Sequence, residues 1–453
     1  MHSTGPSERI HPRPTTVFSP KYLGTTLGMF VLVFMVAFEV MAVTTAMPVI
    51  SEALQGRELY ALAFSAPLAS GMVGMVAAGE LADRRGPKLP LFASVLIFVI
   101  GLLICGVAVS MPMLVIGRLI QGVGGGAITV GIYVLIARLY PGHLHPKIFA
   151  LFAAAWVLPA LIGPWIAGLV ATFIGWRWVF LGVLLLVVFA FSAVVPALRS
   201  LQPEHNAELG PVSVRRLLLA AATAVSVLAM SLLGRLPGIG PICVVVALAA
   251  ALLALKPLLP AGTLRAARGL PATVLSRGLV AAAFFGTEVY LPYMLREDYA
   301  LRPDLAGLVL TASALSWSVG SWLQGRTGER FSNAAFITVG SLAATAAIGT
   351  ALATATWHLP VPILVAGWAL GGFGMGLIYP RQNVNMLGLS AKDQQGFNSS
   401  AMTLADSLGS ASATAVAGVV FVLAGAAPFA AVFALTFVVA LAMVLVAGRT
   451  AAR

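Results

Sequence analysis

The sequence predicts an all-α polytopic membrane protein with fourteen spans, built as two six-helix bundles with two further helices inserted between them. Three observations lead there. The 453 residues are 60% hydrophobic and only 9% charged, at a mean hydropathy of +0.98, far too few charges for a soluble domain of this size. The apolar residues gather into runs long enough to cross a bilayer as helices. A short polar segment in the first third also returns, altered, about half a chain later, as expected of a duplicated bundle.

Residues 1–22 form a polar tail carrying Arg9, Arg13 and Lys21. The first apolar run is too long for a signal-peptide core and lacks a cleavage site, so it is a permanent span. The N-terminal bundle, 23–198, holds runs at 23–48, 60–80, 89–109, 112–138, 148–174 and 178–198. A linker at 199–216 leads into a hairpin at 217–258, whose two runs (217–234 and 238–258) are joined by Arg235-Leu-Pro-Gly. After a second linker, 259–270, the C-terminal bundle at 271–448 holds runs at 271–295, 304–325, 333–356, 360–389, 396–425 and 427–448, and 449–453 is a tail. The connections leave no room for a folded soluble domain. Cys105 and Cys243 lie inside apolar runs, so no disulfide framework is implied.

A net charge of +12 would suggest nucleic acid in a soluble chain. Here the basic residues follow the orientation rule of membrane proteins instead. With the N-terminus inside, twenty of the 27 Lys and Arg fall in inner segments, Arg277 among them. Five, Arg57, Arg177, Arg235, Arg296 and Arg302, fall outside, while Arg118 and Arg381 lie within spans. Both termini are therefore expected in the cytoplasm, although a re-entrant hairpin at 217–258 would preserve the same parity.

The polar segment is Gly79-Glu-Leu-Ala-Asp-Arg-Arg-Gly86, followed by Pro87 and Lys88. Asp83 can offset the charge of Arg84 and Arg85 and accept hydrogen bonds from a neighbouring helix end. The pattern Gly-x-Leu-x-Asp-Arg-x-Gly-x-Lys resembles the loop between the second and third spans of the major facilitator superfamily. Its weaker copy, Ser321-Trp-Leu-Gln-Gly-Arg-Thr-Gly328, keeps Leu323, Arg326 and Gly328 but has Gly325 where Asp83 stood. The resemblance implies a cytoplasmic gating loop built on Gly79, Asp83, Arg84, Gly86 and Arg326.

Ionisable groups at membrane depth are costly and mark pathways or buried pairs. Five stand out: Glu39, Arg118, Glu288, Arg381 and Asp406. Glu39 precedes Pro48 by nine residues, a spacing similar to that of the first span of fourteen-span drug:proton antiporters, where the acid is implicated in proton or cationic-drug binding. The stretch Leu114-x-x-x-Arg118-x-x-Gln121-Gly122-x-Gly124-Gly125-Gly126 resembles the fourth-span motif of the superfamily, whose Arg is thought to couple to protonation. Gln121 shares a face with Arg118, and the glycines allow a neighbouring helix close. Glu39 is the expected partner of Arg118. Gly163, Pro164 and Gly168 resemble the antiporter signature of the fifth span, with Pro159 and Ala167 where Gly is usual.

Glu288 comes out at a depth similar to that of Glu39, in the first span of the other half, and can bind a proton or a cationic amphiphile or stand in a wet vestibule. Arg381 and Asp406 fall at similar depths on successive antiparallel helices, so they are expected to pair, as an inner gate or as a static brace. Tyr133, Trp156, Tyr290, Tyr293, Trp317 and Asn383 are candidate cavity-lining residues. Nothing has metal-ligand spacing, His143, His145 and His358 included, and no phosphate-cradling loop adjoins a soluble domain.

The expected function is transport, not enzymatic catalysis: a secondary exporter of drug-like, lipophilic or cationic molecules that needs no cofactor and uses the proton as coupling ion. Its expected partners are the lipid bilayer and its small-molecule or lipid substrate, not nucleic acid, and it is expected to work as a monomer in the cell membrane. An exporter of lipids or cell-envelope metabolites fits the same sequence, and a sensor or assembly factor that moves nothing is a third reading.

Overall fold

The computed structural model describes residues 16–201, 210–234, 236, 238–301, 303–327 and 330–451. Every regular element among them is helical. The first bundle comprises α1 (Leu23–Ala53), α2 (Tyr60–Arg85), α3 (Lys88–Gly106), α4 (Met111–Leu139), α5 (His145–Val170) and α6 (Arg177–Ser200). The inserted hairpin is α7 (Val214–Leu233) and α8 (Gly240–Leu255). In the second bundle α9 (Leu270–Glu288) continues, after a break at Val289 and Tyr290, as the short α10 (Leu291–Glu297). Then come α11 (Pro303–Thr327), α12 (Asn333–Trp357), α13 (Val361–Leu389), α14 (Gln395–Leu423) and α15 (Pro428–Ala447).

Among the described residues thirteen helices are long and apolar enough to cross a membrane, with α9 and α10 counted as one span. The fourteenth helix of crossing length is α11, whose 25 residues extend ~38 Å at ~1.5 Å per residue. The apolar runs map onto these helices closely, with one correction near the start. Gly79 to Arg85 forms about the last two turns of α2 rather than a loop. Glu, Leu, Ala and Arg are all good helix formers, and nothing stops the helix until Gly86, whose φ of 70° few other residues adopt.

The two bundles repeat one packing plan. α2 and α3 both lie against α4, α1 lies against α5 and α6, and α3 against α6. In the second bundle α11 and α12 lie against α13, α9 against α14 and α15, and α12 against α15. The repeat holds to the residue. In α4, Gly122 and Gly126 are pressed onto the backbone of α2 while Gly124 meets α3; in α13, Gly372 and Gly376 meet α11 while Gly374 meets α12. A Cβ at any of these positions would run into neighbouring backbone, the reason small residues recur where membrane helices cross closely. The halves meet along a seam where α2 packs on α14 and α11 on α5. The hairpin sits beside that seam, α7 against both α2 and α14 and α8 against α14.

Candidate functional site: two buried charge centres and the joint that closes one end

Arg118 and Glu39 meet in the first bundle. Arg118 Nη1 donates directly to Glu39 Oε1 and, at 2.8 Å, to Gln121 Oε1, while Nε donates to the Ala63 carbonyl at 3.2 Å. All three side chains are buried, with 4% of Glu39, 4% of Arg118 and 1% of Gln121 exposed. Because the oxygen of Gln121 faces the guanidinium, its amide nitrogen Nε2 is left buried without a partner among the described residues. A spare buried donor next to an ion pair is unusual, since such groups are nearly always satisfied.

In the second bundle the glycine register puts Trp368 where Arg118 stands in the first, four residues ahead of Gly372 as Arg118 is of Gly122. Phe284 of α9 stacks on Trp368 with ring centroids 4.5 Å apart. The same helix crossing thus holds an ion pair in one half and an aromatic pair in the other. Glu288, one turn beyond Phe284, is half-buried and has no ion-pair partner among the described residues. Phe285 and Tyr379 extend the aromatic wall through Trp317, at 6.4 and 5.1 Å.

The second charge centre corrects an expectation. Arg381 does not pair with Asp406. It donates to the Gln324 carbonyl at 2.6 Å and the Asn333 side chain at 3.3 Å, and lies 4.3 Å from the centre of the Phe336 ring. The cation that meets Asp406 is Arg277, through Nε at 2.9 Å. Depth placed Arg381 well, but the helix turns ~100° per residue. Tyr379 and Gln382 therefore share the face of α13 toward α9, and Arg381 points away to α11 and α12. The charge count places Arg277 in an inner segment, whereas it is 6% exposed and lies inside α9.

Around this pair Arg277 Nη1 reaches Gln382 Oε1 at 3.2 Å, and its guanidinium lies 3.5 Å from the Tyr379 ring centre. The Tyr379 hydroxyl donates to Asp406 Oδ1 at 2.7 Å. Asp406 keeps 26% of its side chain exposed, so it is the more accessible member of the centre. Tyr133 and Asn383 touch across the halves at 3.5 Å nearby.

The third feature is a joint between the halves at the end carrying Gly86. Asp83 accepts from the backbone N–H of Gly396 at 2.6 Å and of Phe397 at 2.7 Å, in the first turn of α14. A carboxylate on a helix N-terminus satisfies donors that lack partners within the helix and complements its dipole. Gly79 and Gly396 are in backbone contact beneath it. Arg138 donates to the Lys392 carbonyl at 2.8 Å. The altered copy makes the matching joint without a charge: Gln324 Nε2 donates to the Pro146 carbonyl at 3.1 Å, and Gly325 packs on Ala150.

Some candidates stand elsewhere. Tyr290 and Tyr293 pack on Phe421, with ring centroids 5.3 and 5.4 Å away, at the opposite end, away from both charge centres. Trp156 is exposed, and Arg326 is exposed with its guanidinium over Trp322. Gly163 lies beside Phe38 and Met41 and Gly168 beside Thr45, so the α5 signature packs on the face of α1 near Glu39. Pro164 is on that helix and Gly328 lies outside the described residues. Glu80 was missed. It is 2% exposed and holds Arg84 and Arg216; its signal was its place one turn before Asp83.

A family model of the major facilitator superfamily matches residues 29–286 and 273–452. The chain belongs to the major facilitator superfamily. It is a multi-pass membrane transporter, not an enzyme. A probable multidrug-efflux transporter of Mycobacterium tuberculosis is 28% identical over 81% of this chain and 80% of its own length. The multidrug efflux pump SdrM of Staphylococcus aureus is 23% identical over 80% of this chain and 82% of its own length. Multidrug resistance protein 3 of Bacillus subtilis is 32% identical, but that match covers 34% of this chain and 30% of the relative, so with several such relatives less than a third of their length is shared. Among solved structures, the human organic anion transporter MFSD10 superposes with a TM-score of 0.69 at 16% identity, covering 95% of this chain and 100% of that one. The proton:xylose symporter XylE superposes at 0.65 and 14% identity, over 93% and 94%.

Proposed function

We propose that this transporter exports lipophilic or cationic small molecules across the cell membrane in exchange for protons, by alternating access, with both termini in the cytoplasm. The observation that carries the proposal is the Glu39–Arg118–Gln121 centre, a buried carboxylate neutralised by a cation whose other contacts are neutral. A proton arriving at Glu39 removes the charge that Arg118 was paired with, and a buried unpaired cation is strongly disfavoured. Arg118 must then find another acceptor, which requires neighbouring helices to move. Protonation and conformation are coupled through that requirement.

Substrate would meet the other half. Asp406 is part-exposed beside Tyr379 and Trp317, a carboxylate next to an aromatic wall. Such walls suit flat or cationic molecules through π-stacking and cation–π contact, and relatives named as multidrug pumps support the same cargo class. The lipid reading is favoured by one observation: the hairpin α7–α8 flanks the seam between α2 and α14, where it could serve as a wall for a lipid entering sideways.

The test is a substrate screen with purified protein in vesicles under an imposed pH gradient. Uptake of a cationic or lipophilic compound against its gradient supports the proposal. Movement of labelled lipid with no response across a broad drug panel favours the second reading. No movement of either class rejects both.

A further inference from the structure

Glu80 and Asp83 are one turn apart on α2, on the same face, and each holds a different helix. Asp83 holds the start of α14. Glu80 holds the start of α7: Arg216 Nη1 donates to Oε1, and the Ser213 N–H donates to Oε2 at 3.1 Å. Arg84 adds a bond to the Gly210 carbonyl at 3.0 Å. The guanidinium of Arg216 also lies 4.7 Å from the ring centre of Phe397, the residue whose backbone N–H binds Asp83. Glu80, Asp83, Arg84, Arg216 and Phe397 line a polar cleft of about 230 Å³ together with Asp393 and Gln394.

We propose that Arg216 is a positioning residue of this joint: the inserted hairpin is fastened to the N-terminal bundle through Glu80 and clasps α14 through Phe397, so Asp83 leaves α14 only when Arg216 leaves Phe397. The two contacts of Arg216 are unequal. Glu80 would keep Arg84 but lose a direct ion pair at a carboxylate only 2% exposed, and that costs more than losing one cation–π contact at the part-buried Phe397 ring. The backbone bonds from Ser213 and to Gly210 add to the Glu80 side. When the halves part, α7 therefore travels with α2, and the Phe397 contact breaks.

Spin-label distances test this in a chain with Cys105 and Cys243 replaced by Ser. One label pair sits at the exposed Arg85 and Val214, both assigned to the moving N-terminal unit; the other sits at Val214 and Ala391, across the joint. Asp83→Asn populates the open form. The Arg85–Val214 distance should be the same in open and closed forms, while Val214–Ala391 lengthens on opening. Phe397→Leu keeps the backbone N–H but removes the ring, and should raise the open:closed ratio by about two- to thirtyfold, the range a cation–π contact supplies. Phe397→Tyr should restore the original ratio. A change in the Arg85–Val214 distance on opening, or a ratio in Phe397→Leu equal to that of Phe397→Tyr, would overturn the assignment.

Discussion

Replacing Asp83 by Asn perturbs the joint with almost no change in shape. The carboxylate is 8% exposed and accepts two short bonds, at 2.6 and 2.7 Å, from successive N–H groups of α14. Asn keeps one oxygen but turns an N–H₂ toward the other donor, so one charge-assisted bond is lost, worth ~1.5–3 kcal/mol. The negative charge facing a helix N-terminus goes too, worth ~0.3–1 kcal/mol. Because this end of the molecule faces water, the lower part of the combined range applies, roughly 2–3 kcal/mol. That moves the open:closed ratio at this end on the order of 30- to 150-fold, at ~1.4 kcal/mol per factor of ten. Spin labels at the exposed Lys88 and Lys392 read the ratio directly, and substrate flux read in the same vesicles should fall. A distance distribution identical to that of the parent, with flux unimpaired, would refute the idea that Asp83 closes this end.

Other substitutions separate the remaining features. Gly396→Ala places a methyl group against the Gly79 carbonyl and should also open the joint, although no charge changes; labels at the same two positions should record it. Gly325→Asp, at the uncharged copy of the joint, should impair flux less than Asp83→Asn, and the reverse order would mean that the second copy carries the gating role. Arg118→Met leaves Glu39 buried without its cation and should destabilise the protein by about 3–5 kcal/mol, with Glu39→Gln/Arg118→Met recovering much of the loss in a thermal-unfolding assay. Tyr379→Phe removes the 2.7 Å bond to Asp406, worth ~1.5–3 kcal/mol as a bond to a charged group. Binding of a cationic dye should change at least several-fold, and equal affinity in the two proteins would remove this centre from the substrate site.

The positions of the spans were legible because a bilayer demands long apolar runs and the chain supplies them with clear polar breaks. The joint was legible in part: Asp83 was read as an acceptor for a helix end, and it holds the start of α14. Azimuth was the weak link. Counting residues along a helix gives depth but not direction, so Arg381 was matched with Asp406 when the cation facing that carboxylate is Arg277. Arg277 itself was hidden by the charge count, which groups a basic residue near the start of the run at 271–295 with the inner segment before it, although it lies buried within α9. The aromatic counterpart of the Glu39–Arg118 crossing, Phe284 on Trp368, follows from aligning Gly122 with Gly372, and only the packing of α4 and α13 reveals that alignment. Glu80 was passed over because a carboxylate beside two arginines reads as surface charge, whereas here it is buried beneath the hairpin.

Glu39 is the residue on which the account depends most. Vesicles containing the parent protein or Glu39→Gln would be given the same pH gradient and a cationic probe, and accumulation followed against a gradient-free control. The parent is expected to concentrate the probe only when the gradient is present, and Glu39→Gln to insert and bind the probe yet show the same flux with and without the gradient. Gradient-driven accumulation by Glu39→Gln equal to that of the parent would contradict proton coupling at the Glu39–Arg118 centre.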